Sequence, residues 1–389
     1  MTASCRTPVG HARARRILPV AILVACLAAG VAFADTAWNW VGPSGKNIVS
    51  LLIIGDADIQ LRKDPTTAFT NIMKTLNAAD VVYCNLEGLL VPPKGKGIDI
   101  PDKGGWQHPG TEGVEALKAG NIKIVGVANN VAYGRANIMK SLAVLDANGI
   151  KHTGAGKNIE AAHEPAIIEA KGVKIGFLQY TARWYLSENQ IATATEPGVA
   201  KIASRDGITV DPADLARVRE DIRKLRPKVD ILIVSHHNRD GATDVQFGRG
   251  WRGDKKPPRR DPTISEPYQK AFAHFALDAG ADLVFDHGTH NVQGVEIYKG
   301  KPILYAIGHS AFDQPGYEKL KNGLIVHVII ADKHIVHVSF VPVTRDAHNN
   351  VEMLDPAGEG ATLYNLVKSR SGDTPLKIEG QEVVMLDHS

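Results

Sequence analysis

The chain has 389 residues, of which 44% are hydrophobic and 22% charged, with a formal net charge of +3. That length and balance support a large folded core and exclude a mainly disordered chain. A charge so close to neutral excludes the strongly basic surface of a nucleic-acid binder.

The N-terminus reads as an export leader. Four arginines and no acidic residue lie within residues 6–16, an apolar run fills 17–33, and Ala32-Phe33-Ala34 precedes Asp35. Charged region, apolar region and small-residue cleavage site follow in the order of a secretory signal. This predicts a signal peptide over 1–34, a lead-in over 35–46, and a secreted or periplasmic protein. Leu23-Val24-Ala25-Cys26 also fits a lipoprotein box, but residues 27–33 stay apolar where a polar tether is usual. The apolar run is short for an uncleaved membrane anchor. Cys5 and Cys26 fall in the leader, leaving Cys84 alone. No intrachain disulfide can then form, so the core must hold the fold. Cys84 sits in an apolar run and reads as a core residue.

From residue 47 the pattern alternates. A strand over 47–54 ends at Gly55-Asp56, and a helix is predicted over 66–78. A strand over 81–84 ends at Asn85-Leu86-Glu87, followed by a helix over 111–119. A strand over 123–127 ends at Ala128-Asn129-Asn130, and a helix covers 138–148. Then come a strand over 173–180, a helix over 212–225, a strand over 229–234 ending in Ser235-His236-His237-Asn238, and a helix over 268–279. Residues 282–343 read as consecutive strands with short turns. The pattern predicts an α/β or α+β layered sandwich over 47–345 and a C-terminal extension over 346–389.

The strand ends carry the chemistry. Asp56 and Asp58, Asn85 and Glu87, Asn129 and Asn130, and His237 each follow an apolar run. Open α/β sheets bind ligands at the carboxyl ends of their strands. The block from Asp286 to Gln314 adds His287 and His290 directly after another apolar run.

In this order the strand ends resemble the bacterial capsule-synthesis family, the CapA or PgsA-like poly-γ-glutamate proteins, a branch of the calcineurin-like metallophosphatases. The pieces are Gly55-Asp56, Asn85-Leu86-Glu87-Gly88, Ala128-Asn129-Asn130 with Tyr133-Gly134, Gly154-Ala155-Gly156-Lys157-Asn158, Val234-Ser235-His236-His237, Ala279-Gly280-Ala281-Asp282, and the block from His287 to Gln314. They span roughly 48–345. The resemblance implies a four-layer αββα metallophosphatase-like sandwich with a metal site at the sheet edge. It implies Asp56 and Glu87 as carboxylate ligands, Asn130 as an amide ligand, and His237 and His290 as imidazole ligands. A mixed nitrogen and oxygen set without sulfur suits one or two ions of Mn, Fe or Zn. His237, His290 and Asn129 are the expected catalytic residues. Asn85, His236 and His309 are expected to meet the substrate.

Departures from the family pattern accompany the matches. The family's histidine after Ala-Asn-Asn is Val131 here, and valine cannot transfer a proton. The first histidine of the family's His-Pro-His pair falls on Gly288, so His287 would have to serve from the neighbouring position. His236, His287 and His309 are gained, and Asp58 lies two residues after Asp56. Asp58, His287 and His309 are therefore expected to rebuild a metal site with altered chemistry.

The segment 241–262 places Arg249, Arg252, Lys255, Lys256, Arg259 and Arg260 among Gly and Pro directly after the strand histidines. Arg249 and Arg252 are expected to contact a carboxylate or phosphate from a basic lid. Residues 183–204, with Trp184 and Tyr185, form a second candidate lid. The expected function is synthesis, export or remodelling of an anionic extracellular polymer, with membrane-bound capsule proteins as partners. The alternatives are a stand-alone periplasmic metal-dependent hydrolase of a small anionic substrate, or a non-catalytic accessory protein.

Overall fold

The computed structural model describes residues 47–60, 62–91, 97–100, 103–182, 189–203, 209–238, 261, 263–314 and 320–388. The expected leader and lead-in, Arg249, Arg252, Trp184 and Tyr185 lie outside the described residues.

Two large sheets carry the fold. The first runs in the order Lys377–Glu379, Glu382–Asp387, His334–Arg345, Gly323–Ala331, Val49–Asp58, Val81–Leu86, Ile122–Gly126, Lys151–Thr153. Two short strands, His309–Phe312 and Val351–Met353, join it beside Val49–Asp58 and His334–Arg345. The second runs Val295–Tyr298, Lys301–Leu304, Leu283–His287, Ile231–His237, Val173–Thr181, Ala166–Ala170.

Side-chain alternation along the strands makes the layers. On Val49–Asp58, Leu51 and Ile53 join Tyr83, Phe177, Ile233 and Phe285 in a core between the two sheets. Leu52 and Ile54 face the other way, onto Phe69, Leu76, Leu117 and Leu142 from the helical segments. On Ile231–His237, Leu232 and Val234 pack against Ile222 and Phe272 of the helices Pro212–Leu225 and Pro267–Ala279. The result is helix, sheet, sheet, helix: the four-layer αββα sandwich. Each Leu, Ile or Phe so buried contributes about 1.5–3 kcal/mol. Cys84 is buried too, on the helix side of its sheet.

The predicted helix over 66–78 is a 3-10 segment, Pro65–Ile72, running into a short α-helix, Met73–Ala78. Phe69 leaves helical geometry at φ −122° and is fully buried. The Asp64 carboxylate caps the start by accepting from the Thr66 amide at 3.0 Å.

Among the described residues, the six strands that begin within 282–343 divide between the sheets. Leu283–His287, Val295–Tyr298 and Lys301–Leu304 belong to the second; His309–Phe312, Gly323–Ala331 and His334–Arg345 belong to the first. The chain therefore crosses between sheets inside the histidine block. Residues beyond 345 add three strands to the first sheet, and Leu363 and Val367 of the helix Ala361–Arg370 enter the inter-sheet core.

Candidate metal centre

Strand register gathers the polar ends. Asp56 pairs with Asn85 on one side and His309 on the other. In the second sheet His237 pairs with His287 and with Thr181. The loop after Leu283–His287 then brings His290 across to the first sheet.

Asp56 is the hub. It is fully buried, and its carboxylate accepts from Asn85 Nδ2 at 2.8 Å and from the Gly288 amide at 2.9 Å. His287 Nδ1 lies 3.4 Å from one carboxylate oxygen, and His290 Nδ1 lies 3.9 Å from the other. Two three-residue groups share Asp56: one with His237 and His287, the other with His290 and His309. Within each group the donor atoms lie within 4.8 Å of one another, and all members are buried. His237 Nδ1 and His287 Nδ1 are 2.9 Å apart; His290 Nδ1 and His309 Nε2 are 2.7 Å apart. Imidazole and carboxylate donors in two compact groups fit a divalent transition metal.

The backbone around this hub is built for close approach. Gly288 has φ +89°, and a Cβ there would lie 2.6 Å from the Asn238 carbonyl oxygen and 2.7 Å from His237 Nε2. A Cβ on Gly55 would lie 2.1 Å from the Gly308 carbonyl oxygen, which accepts from the Asp56 amide at 3.0 Å. His290 itself takes a left-handed conformation at φ +60°, rare for a residue with a side chain.

Electrostatics favour an ionised hub. Burial alone would raise Asp56, but the His287 hydrogen bond and the charges of His287, His237 and His309 hold it down at about 2. Burial pushes His309 down to about 4, aided by Arg345 and opposed by Asp56 and the Leu320 carbonyl. His309 is therefore neutral at pH 7, the state a metal ligand requires. Burial and the Asp56 charge push the Cys84 thiol far up, so it is no nucleophile.

The remaining predicted residues fall in different places. Asn130 stands behind His237, its Oδ1 3.0 Å from His237 Nε2. Asn85 braces Asp56. Asn129 does not join the histidines: its side chain donates to the Leu86 carbonyl at 2.8 Å and accepts from the Val131 and Ala132 amides, bracing the turn. Asp58 and Glu87 are buried but belong to neither of these two groups. Asp58 accepts from Gln60 Nε2 at 2.8 Å. His236 is on the opposite face of its sheet, 3.7 Å from Asp286 and 4.7 Å, centroid to centroid, from the Phe272 ring. Adjacent strand residues point to opposite faces, so only one of His236 and His237 can reach the centre. Val131 is buried in an apolar cluster with Ile100, Trp106 and Tyr133.

Gln179 was not expected. Its Nε2 donates to Asn85 Oδ1 at 2.8 Å and lies 2.9 Å from His287 Nε2. The available signal was an uncharged amide in the buried second half of its strand, two residues after inward-facing Phe177.

Comparison with known proteins agrees with the strand-end order. The model of the bacterial capsule synthesis protein family PGA_cap matches residues 35–247 and 259–314. The capsule biosynthesis protein CapA of Bacillus anthracis is 25% identical over 281 residues, covering 71% of this chain and 60% of that protein. A probable polyglutamine synthesis accessory protein of Mycobacterium tuberculosis is 31% identical over 246 residues, covering 61% of this chain and 57% of its own. Among solved structures, a novel phosphatase from Mycoplasma pneumoniae aligns at TM-score 0.44 and 13% identity, over 82% of this chain and 99% of that chain. A putative 5'-nucleotidase from Staphylococcus aureus aligns at 0.40 and 9%, over 79% and 53%. Scores this low carry no functional argument. The match to the family model extends over more than half of the chain, and the chain belongs to the bacterial capsule synthesis protein family PGA_cap.

Proposed function

We propose that this chain is an exported capsule-synthesis protein that uses a divalent metal centre at Asp56 to act on an anionic extracellular polymer. The observation that carries the reading is the convergence of four buried histidines on one buried carboxylate. Imidazole and carboxylate donors gathered this closely suit a divalent cation. The capsule reading rests on the family and on relatives described as capsule or PGA biosynthesis proteins. Export rests on the leader pattern over 1–34.

A metal bound there would attract and polarise an anionic group and lower the pKa of bound water. The chain's own residues do the positioning. Asp56 would supply the shared negative ligand, held in place by Asn85 and the Gly288 amide. His237, His287, His290 and His309 surround it, and Asn130 orients His237. Mn, Fe and Zn all suit these donors.

Val131 favours a second reading, an accessory protein that binds polymer without turning it over. At that position no side chain can donate a proton to a leaving group.

The test is elemental analysis of the purified chain beside Asp56→Ala. Bound Mn, Fe or Zn, lost in the variant, supports the centre. A chain that stays metal-free after reconstitution sinks it. Loss of polymer on deletion, with no turnover by the pure protein, favours the accessory reading.

A further inference from the structure

His309 meets the centre with one ring nitrogen and a chain carbonyl with the other. Its Nε2 lies 2.7 Å from His290 Nδ1, and its Nδ1 lies 2.9 Å from the Leu320 carbonyl oxygen. A carbonyl oxygen can only accept, so the His309 proton is on Nδ1 and the lone pair on Nε2. That lone pair accepts a hydrogen bond from His290 Nδ1. The placement of the Leu320 carbonyl therefore decides how the imidazole is presented.

Arg345 fixes that carbonyl. It is the last residue of the strand His334–Arg345 and is only 4% exposed. Its Nη2 donates to the Leu320 oxygen at 2.7 Å. A carbonyl oxygen has two lone pairs, so it can serve both donors at once. Arg345 Nη1 donates to the Phe312 carbonyl and to Asn349 Oδ1. The guanidinium carbon is 5.9 Å from the centre of the Phe312 ring. That ring lies parallel to the His309 imidazole, with 5° between planes and 3.9 Å between centres, and it meets His290 at 5.2 Å. One guanidinium thus controls both the acceptor for the His309 N–H and the ring on which His309 stacks. A guanidinium is costly to bury, and here the hydrogen bonds that offset the cost converge on the residues around His309. A planar fork of N–H donors suits the task; a lysine ammonium offers one point charge. Arg345 lies beyond residue 314, where the match to the family model ends.

We propose, resting on the metal reading above, that Arg345 is a positioning residue of the centre. Through the Leu320 carbonyl and the Phe312 ring it holds His309 so that Nε2, not Nδ1, is the nitrogen offered to a divalent ion.

The test compares two arginines that grip the same turn at residues 346–350. Arg62 bonds Asp313, Asn350 Oδ1 and the Asn349 carbonyl, with no bond to Leu320. Mn²⁺ and, separately, Zn²⁺ are titrated calorimetrically into the full chain. Arg345→Met should bind each ion about 10–100-fold more weakly than the wild type, the usual loss when the partner holding a ligating histidine is removed. Arg62→Met, which loosens the same turn, should keep the wild-type affinity. Long-range ¹H–¹⁵N NMR of the metal-free wild type reads His309 whether or not either variant folds, and should show its proton on Nδ1. Unchanged affinity in a folded Arg345→Met chain, an equal loss in both variants, or a His309 protonated on Nε2 overturns the role of Arg345 and leaves the metal reading standing. A wild type that binds neither ion overturns the metal reading, and this inference with it.

Discussion

Among the described residues, the first sheet holds two buried carboxylates flanked by histidines, and only one of them makes a candidate metal centre. Glu382 is 5% exposed, with His327 Nδ1 3.5 Å from one oxygen and His337 Nε2 3.5 Å from the other. Ser339 donates to the same carboxylate, and Ser50 Oγ lies 3.1 Å from His327 Nε2. These residues sit on neighbouring strands in antiparallel register, and the two imidazoles approach opposite oxygens with ring centroids 6.4 Å apart. A ladder spaces side chains evenly, so the histidines clamp the carboxylate without converging. At Asp56, parallel strands end together and the 286–314 block crosses between sheets, so ring nitrogens meet around one point. Among the described residues only the Asp56 groups bring three such donors within 4.8 Å of one another. Residue type is shared; convergence is what separates a clasp from a centre.

The largest expected effect is on metal. Asp56→Ala should remove all bound metal, whereas Glu382→Gln should leave the metal content unchanged; elemental analysis of both reads the contrast. If Glu382→Gln also emptied the protein, the division between clasp and centre would fail.

Gly288→Ala comes next. Its Cβ would meet His237 and the Asn238 carbonyl at a backbone angle that disfavours side chains. Strain and overpacking together should cost on the order of 4 kcal/mol, read as a lower denaturant midpoint.

The clasp should appear in the pH profile. Burial raises Glu382, but His327, His337 and Ser339 outweigh it and bring the group from 4.5 to about 2. A folded-state pKa below the unfolded value gives stability that is present above about 4.5 and lost as pH falls toward 2, worth on the order of 3 kcal/mol at neutral pH. His337 is raised from 6.5 despite burial, chiefly by Glu382. Its contribution is present below 6.5 and fades as pH rises through the folded value. Stability measured from pH 2 to 9 should therefore climb and then sag, and Glu382→Gln should flatten both limbs.

Asn129→Ala should have the smallest effect, about 1–2 kcal/mol from the turn amides it leaves unpaired, with metal content intact. Loss of metal in this variant would place Asn129 in the centre after all.

Much of this was legible in residue order. Asp56, Asn85, Asn130 and His237 stand at strand ends because buried parallel strands are nearly continuous apolar runs, and the first polar residue marks the rim. The sequence was silent where strands are buried on both faces. Nothing in Val234-Ser235-His236-His237 says which histidine looks inward, since both faces of that strand are apolar; the structure turns His236 to Phe272 and His237 to Asp56's side. Asp58 and Glu87 read as ligands by type and spacing, yet they fall outside both groups. Gln179 went unnoticed because a lone amide within a strand carries no motif.

Local patterning by itself determined the alternation of strands and helices, the buried character of Cys84 and the set of polar strand ends. Those follow from side-chain period and the cost of burying polar groups, which act within a few residues. Only the tertiary structure decided that His290 and His309 meet across Asp56, that Gly288 lets His237 approach, and that Gln179 reaches His287. These depend on register between strands far apart in the chain and on hydrogen-bond directions fixed by backbone groups, neither of which is written in any single segment.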